Sequence, residues 1–149
     1  MSRHAIFAAA VPLLAASGAA LAIDYASVAS PAILYETSSL QARKLAVIRA
    51  GTPLEVVVTS PDLQWVKVRD PAGGMAWIEG GALSRQRTVI VIAEQAAVRR
   101  DAAGDAPVVF EAVRDVVLEF ISASPDGWVK VRHADGDGGY LRFTEVWGL

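Results

Sequence analysis

The sequence predicts an all-β protein made of two tandem copies of one small β-barrel, about five strands in each, behind a cleaved leader. Three observations predict it. A block of sequence recurs at nearly constant spacing. Apolar and polar residues alternate with period two inside that block. Short runs of strand length are punctuated by Gly, Pro and Asp, and beyond the leader no window longer than about ten residues has helical periodicity.

The leader comes first. Arg3 supplies a positive start, an apolar run extends from Ala5 to Ala16 with Pro12 inside it, and Ser17-Gly18 breaks the run. Ala20-Leu21-Ala22 then offers small side chains at the two positions that signal peptidase reads. A run this short does not hold a chain in a bilayer, and nothing after it reaches the ~18 consecutive apolar residues of a spanning helix. Residues 1–22 are therefore expected to be a signal peptide cleaved after Ala22. The product would be periplasmic or secreted, with no stable membrane insertion after cleavage.

The repeat follows. Trp65-Val66-Lys67-Val68-Arg69 returns as Trp128-Val129-Lys130-Val131-Arg132, 63 residues on. Upstream, Ser60-Pro61-Asp62 returns as Ser124-Pro125-Asp126 and Leu54-Glu55 as Leu118-Glu119, now 64 residues on, so one residue is lost before Trp128. Downstream, Gly73 aligns with Gly136, Trp77 with Tyr140 and Ile78 with Leu141. Solenoid units run to roughly 20–50 residues, so this longer period suits a small domain. The expected units are residues 23–87 and 88–149. A domain of ~60 residues buries only about 60% of its unfolded surface. The two copies should therefore pack together across the short polar junction Ser84-Arg85-Gln86-Arg87.

Within each copy the pattern is β. Val66 and Val68 alternate with Trp65, Lys67 and Arg69, which puts the valines on one face and the other three on the opposite face. Leu54 to Val58 and Val116 to Ile121 are β-branched or aromatic runs. Thr88-Val89-Ile90-Val91-Ile92 reads as a buried strand. Pro71-Ala72-Gly73-Gly74 and Ala134-Asp135-Gly136-Asp137-Gly138 are hairpin turns.

Composition removes several function classes. The 149 residues are 53% apolar, carry a net charge of −2 and include no cysteine. Disulfides, thiolate zinc sites and cysteine nucleophiles are thereby excluded. No stripe of Lys and Arg is present to neutralise phosphates, so no nucleic-acid partner is expected. Beyond the leader the one histidine is His133, and there is neither an H-E-x-x-H helix motif nor a G-x-S-x-G elbow. Asp126, Asp135 and Asp137 sit in turn clusters, and Asp135-Gly136-Asp137 lacks the distal glutamate of a calcium loop. No catalytic residue, metal or cofactor is predicted, and the protein is not expected to be an enzyme.

Gly127-Trp128-Val129-Lys130-Val131-Arg132, the turn Asp135-Gly136-Asp137-Gly138 and Gly139-Tyr140-Leu141 together resemble the second half of a bacterial SH3 domain. That half reads G-W-x-K-V, a D-G turn, then G-[WY]-[VIL]. Ala97-Val98-Arg99-Arg100 resembles the family's opening N-V-R-x-x-P-S stretch, with Ala97 for the Asn and Ala102 for the Pro. The first copy carries Trp65-Val66-Lys67-Val68-Arg69 and Met75-Ala76-Trp77-Ile78, while its opening, Ala32-Ile33-Leu34-Tyr35, is further from the pattern. The closing Val146-Trp147-Gly148-Leu149 is similar to a group of two-domain SH3-like proteins exported by Gram-negative bacteria. The resemblance covers nearly all of residues 25–149 and implies two tandem SH3-like barrels that hold cell-wall components, proteins or peptides. A Pro-rich ligand fits poorly. The groove Pro falls on Glu79 and Arg142, and the groove Tyr on Ala82 and Glu145, which leaves Trp65 and Trp128 of the aromatic set.

The candidate ligand-binding residues are Trp65, Lys67, Arg69, Trp128, Lys130 and Arg132. By alternation each Trp faces outward, either as a stacking platform or as packing over a barrel end or the seam. Each Lys-x-Arg pair on the same face either holds an anion beside the ring or forms a solvated basic edge. Trp77 and Tyr140 are expected to pack over the hairpin. The leading functional expectation is an exported, non-catalytic module that binds a cell-wall glycan or peptide, or an envelope protein. The alternative is a structural or assembly protein of the envelope acting through protein contacts. An enzyme inhibitor would need an exposed loop, for which Glu36 to Gln41 is the candidate.

Overall fold

The computed structural model describes residues 23–149. The expected signal peptide, residues 1–22, lies outside the described residues.

The first sheet comprises β1 (Asp24–Val28), β2 (Ala32–Tyr35), β3 (Lys44–Ile48), β4 (Pro53–Thr59), β5 (Trp65–Arg69), β6 (Met75–Glu79) and β7 (Leu83–Ser84). Its order is β3-β2-β6-β5-β4-β1-β7. The second comprises β8 (Thr88–Val91), β9 (Gln95–Arg99), β10 (Val108–Val113), β11 (Val117–Ala123), β12 (Trp128–Arg132), β13 (Gly138–Arg142) and β14 (Val146–Trp147). Its order, β10-β9-β13-β12-β11-β8-β14, repeats the first strand for strand. The register repeats too: Trp65 pairs with Glu79 and Val66 with Ile78, as Trp128 pairs with Arg142 and Val129 with Leu141.

Each sheet has seven strands where about five were expected. Two kinds of strand account for the difference. The two-residue closing strands β7 and β14 each follow a single 3-10 turn, Gly80–Ala82 and Phe143–Glu145. The edge strand β3 buries almost nothing, so no inward-outward alternation marks it.

Two separate cores confirm two modules. The first is built on Val28, Leu34, Leu54, Val66, Val68, Ala76 and Ile78. The second gathers Val89, Val91, Val98, Leu118, Val129, Val131 and Leu141 among its residues. Period two works as expected on β5 and β12: Val68 and Val131 are 0% and 1% exposed. The hairpins β5–β6 and β12–β13 turn through Gly73 and Gly136, whose φ angles of +91° and +101° favour glycine.

All four residues of β8 are buried. Val89 and Val91 belong to the second core, while the Thr88 hydroxyl donates to Gly51 O of the first copy at 2.6 Å. Both faces are thus covered, which is why this strand reads as an unbroken apolar run. The copies touch at further points. Arg87 Nη2 donates to Gly148 O at 2.9 Å, and Tyr25 and Trp147 meet edge to face at 5.2 Å. Among the described residues no helix is long and apolar enough to cross a membrane.

Candidate functional site

β5 and β12 carry the six residues singled out in the sequence. Because β5 lies between β4 and β6, its outward residues meet partners on both sides. Arg69 faces Glu55 on β4 and forms an ion pair with it at 3.1 Å. Arg132 does the same with Glu119 on β11 at 2.7 Å. The arginines are therefore already supplied with carboxylates, which weakens them as receivers of an anionic ligand. Lys130 Nζ lies 5.8 Å from the Tyr140 ring centroid across the hairpin. Lys67, half-buried opposite Trp77, makes no ion pair among the described residues. The two basic sets do not converge on one anion.

The two tryptophans part company. Trp65 is half-buried and meets Tyr35 edge to face, ring centroids 5.4 Å apart and planes at 88°. Trp128 is 5% exposed. Of the two roles open to an outward-facing ring, platform or packing, Trp128 takes the second, and as a candidate ligand-binding residue it is corrected. The cause is the cross-strand partner. Arg142 stands opposite Trp128 and lays its guanidinium over the indole, 3.9 Å from the ring centroid. At the equivalent place the first copy has Glu79. A guanidinium is drawn to the negative face of an indole, and a carboxylate is not. One change of charge sign thus closes one ring and leaves the other accessible.

Tyr35 and Glu79, the ring partner and the strand partner of Trp65, line a groove of about 230 Å³ together with Pro31, Ile33, Ile78 and Ala82. The second copy differs at each element of this groove. Arg99 occupies the position of Tyr35, since it pairs with Tyr140 as Tyr35 pairs with Trp77. Its Nη1 is engaged by Ala106 O at 2.8 Å. Phe143 crowds the turn before Trp128: a Cβ added at Gly127 would come within 2.8 Å of its ring. The sequence did not mark Tyr35 or Glu79 as site residues. A third feature, a cleft of about 450 Å³ between the copies lined by Val47, Pro71, Ile90, Ile92 and Arg114 among others, was equally invisible to it.

The acidic residues behave as turn residues. The Ser60 hydroxyl, then the Gln64 N–H, hold the exposed Asp62 carboxyl below its ordinary range. Asp135 is lowered by the Asp137 N–H and by His133, whose Nδ1 lies 2.9 Å from it. Among the described residues no group of three His, Asp or Glu gathers as a metal site. The loop after β2 is closed by an exposed Glu36–Arg43 ion pair at 2.7 Å.

A sequence profile described as bacterial SH3 domain matches residues 28–85 and 93–148. No curated protein sequence matches the chain. Among solved structures, NlpC2 from Trichomonas vaginalis is similar at 11% identity with a TM-score of 0.38, covering 87% of this chain and 49% of that one. NlpC1 from the same organism gives 13% and 0.38, with 93% and 50% covered. An NlpC/P60 family protein from Bacillus cereus gives 14% and 0.37, with 83% and 56% covered. This chain spans about half the length of each of those proteins.

Proposed function

The chain belongs to the bacterial SH3 domain family, and from that premise we propose that it is an exported module, without catalysis of its own, that holds a cell-wall component or an envelope protein on its first copy. Bacterial SH3 domains are cell-wall binding modules. The leader with its Ala20-Leu21-Ala22 box supports export to the compartment where such a ligand lies. The observation that carries the reading is the contrast between the two rings. Trp65 is half-buried and packs edge to face on the buried Tyr35, which lines a groove, whereas Trp128 is capped by Arg142. A rigid aromatic edge beside a shallow groove suits the apolar face of a sugar ring or a short peptide. Glu79 at the rim adds a preference for ligands carrying a donor or a cation.

The test is retention of the mature protein on purified peptidoglycan sacculi and on envelope extracts. Trp65→Ala should abolish retention and Trp128→Ala, where still folded, should leave it intact. Retention that survives Trp65→Ala would sink the proposal. N-terminal sequencing of the exported protein should begin at Ile23.

A second reading, assembly through protein contacts, draws on β3. This edge strand leaves Val47 73% and Leu45 41% exposed beside an unpaired backbone edge. Crosslinking in the envelope would then give discrete adducts through β3, and Val47→Lys would remove them.

A further inference from the structure

We propose that a second pocket of the first copy, where its closing strand runs into the junction, is a binding site for a carboxylate carried on a short apolar chain. The pocket has a volume of about 460 Å³, within the roughly 300–1,000 Å³ of small-molecule sites. Ala26, Val56, Leu63 and Leu83 give it an apolar wall, and Arg85 and Arg87 line the same pocket. No Asp or Glu lines it, although the chain has 16 acidic and 14 basic side chains. Neither arginine forms an ion pair among the described residues. Two cations on an apolar wall without a carboxylate are an electrostatic imbalance that an anionic head would correct.

Arg87 is held rather than mobile. Its guanidinium carbon lies 4.5 Å from the Phe120 ring centroid and 5.8 Å from that of Tyr25, and Nη2 is fixed on Gly148 O. Its Nε–H is buried with no acceptor. A buried donor left unpaired is costly, and no carboxylate lines the pocket to offset the cost; Glu55, opposite Tyr25 on β4, is already paired with Arg69. The Tyr25 phenol lines the same pocket. Burial, and after it the Glu55 charge, push its pKa up, so it stays protonated and able to donate.

An independent observation comes from the backbone. Leu63 has φ +59° and is 70% exposed. A leucine gains nothing from a left-handed backbone, and this one gains little from burial. The corresponding turn of the second copy closes with the same bond, Gly127 N–H to Ser124 O as Leu63 N–H to Ser60 O, but with glycine at φ +89°. The first copy thus keeps an apolar side chain on the pocket at a position where its own twin has none. The twin also lacks the cation: Arg85 corresponds to Gly148.

The chemistry recognised is an apolar chain ending in a carboxylate, which a peptide C-terminus and a fatty acid both supply. The experiment is calorimetric titration of the mature protein with octanoate, and with a Leu-ended tripeptide as free acid and as amide. Saturable one-to-one binding of octanoate or the free acid is expected, at about 1 mM or tighter. The tighter of the two identifies the source. R85Q should weaken that ligand about tenfold, the weight of a charged hydrogen bond. L63G should weaken it severalfold without lowering the melting temperature, because glycine suits the turn. The proposal is overturned by equal binding of octanol or the amide, by no saturation with either acid, or by unchanged affinity in R85Q. Sacculus retention reads the Trp65 groove separately, so the two sites fail or stand independently.

Discussion

Arg142 covers the face of Trp128 at 3.9 Å, while Glu79, its counterpart across the hairpin of the first copy, leaves Trp65 half-buried. Exchanging these two side chains should exchange the states of the two rings. Arg142→Glu should cost about 0.5–2 kcal/mol, the value of a cation–π contact from exposed to desolvated settings. It should also speed solvent exchange of the Trp128 indole N–H. Glu79→Arg should slow exchange at Trp65 and reduce retention on sacculi. Unchanged indole exchange in both variants would mean that the backbone, not the charge, decides which ring is open.

The core and the rings should separate on truncation. Val131→Ala removes two methyl groups from a site 1% exposed, and about 1–3 kcal/mol should be lost in urea unfolding. Trp128→Ala should cost more, about 3–5 kcal/mol, as for other buried tryptophans. Trp65→Ala should fall below Trp128→Ala in cost, because its ring is only half-buried. If the two tryptophan variants lose equal stability, the asymmetry between the copies is not energetic.

The fold was legible because its signals are local. The recurrence of Trp-Val-Lys-Val-Arg marked two modules, and alternation placed Val68 and Val131 in the cores where they are found. The candidate site was legible only in part. What decides whether Trp128 is exposed is Arg142, fourteen residues on and across a hairpin, and alternation within one strand is blind to its neighbour's charge. The same holds for Arg69 and Arg132. Glu55 and Glu119 were visible as repeated residues, but their pairing depends on strand register, which includes a bulge between Val56 and Val58. Tyr35 lies in the opening segment that departs furthest from the family pattern, so only the fold brings it to Trp65. The carboxylate pocket depends on the backbone angle of Leu63, and nothing in Ser-Pro-Asp-Leu-Gln-Trp announces a left-handed leucine.

Acid should loosen the turns before the cores. Asp62 and Asp135 both have carboxyls held below their ordinary value of about 3.8, by the Ser60 hydroxyl and the Asp137 N–H respectively. For a group lowered in the folded state, the stabilisation is present above the unfolded pKa and is lost as pH falls through the folded one. The melting temperature should therefore hold from neutrality to about pH 5 and decline below pH 4 as these carboxylates take up protons. Asp62→Asn keeps an acceptor but cannot titrate, so its curve should fall less steeply in that window. A decline of unaltered steepness would assign acid sensitivity to other groups.

The seam is best tested at Gly148, because a neighbouring position supplies the control. A Cβ there would meet Thr88 O at 2.9 Å and Pro53 Cβ at 3.0 Å, and Pro53 belongs to the first copy. Gly148 also has φ +111°, so alanine adds backbone strain wherever the space is open. Gly136 isolates that strain, since its φ is +101° and nothing lies within 4 Å of an added Cβ. Both alanine variants should lose stability through the backbone. Gly148→Ala should lose about 1–3 kcal/mol more, the usual cost of overpacking a filled site. Because β8 is covered on its second face by the first copy, that extra loss should reach the first copy as well as the second. Urea unfolding read by exchange of the Trp65 and Trp128 indoles would follow the two separately. If only Trp128 responds to Gly148→Ala, the copies are neighbours in the chain that do not share stability across the seam.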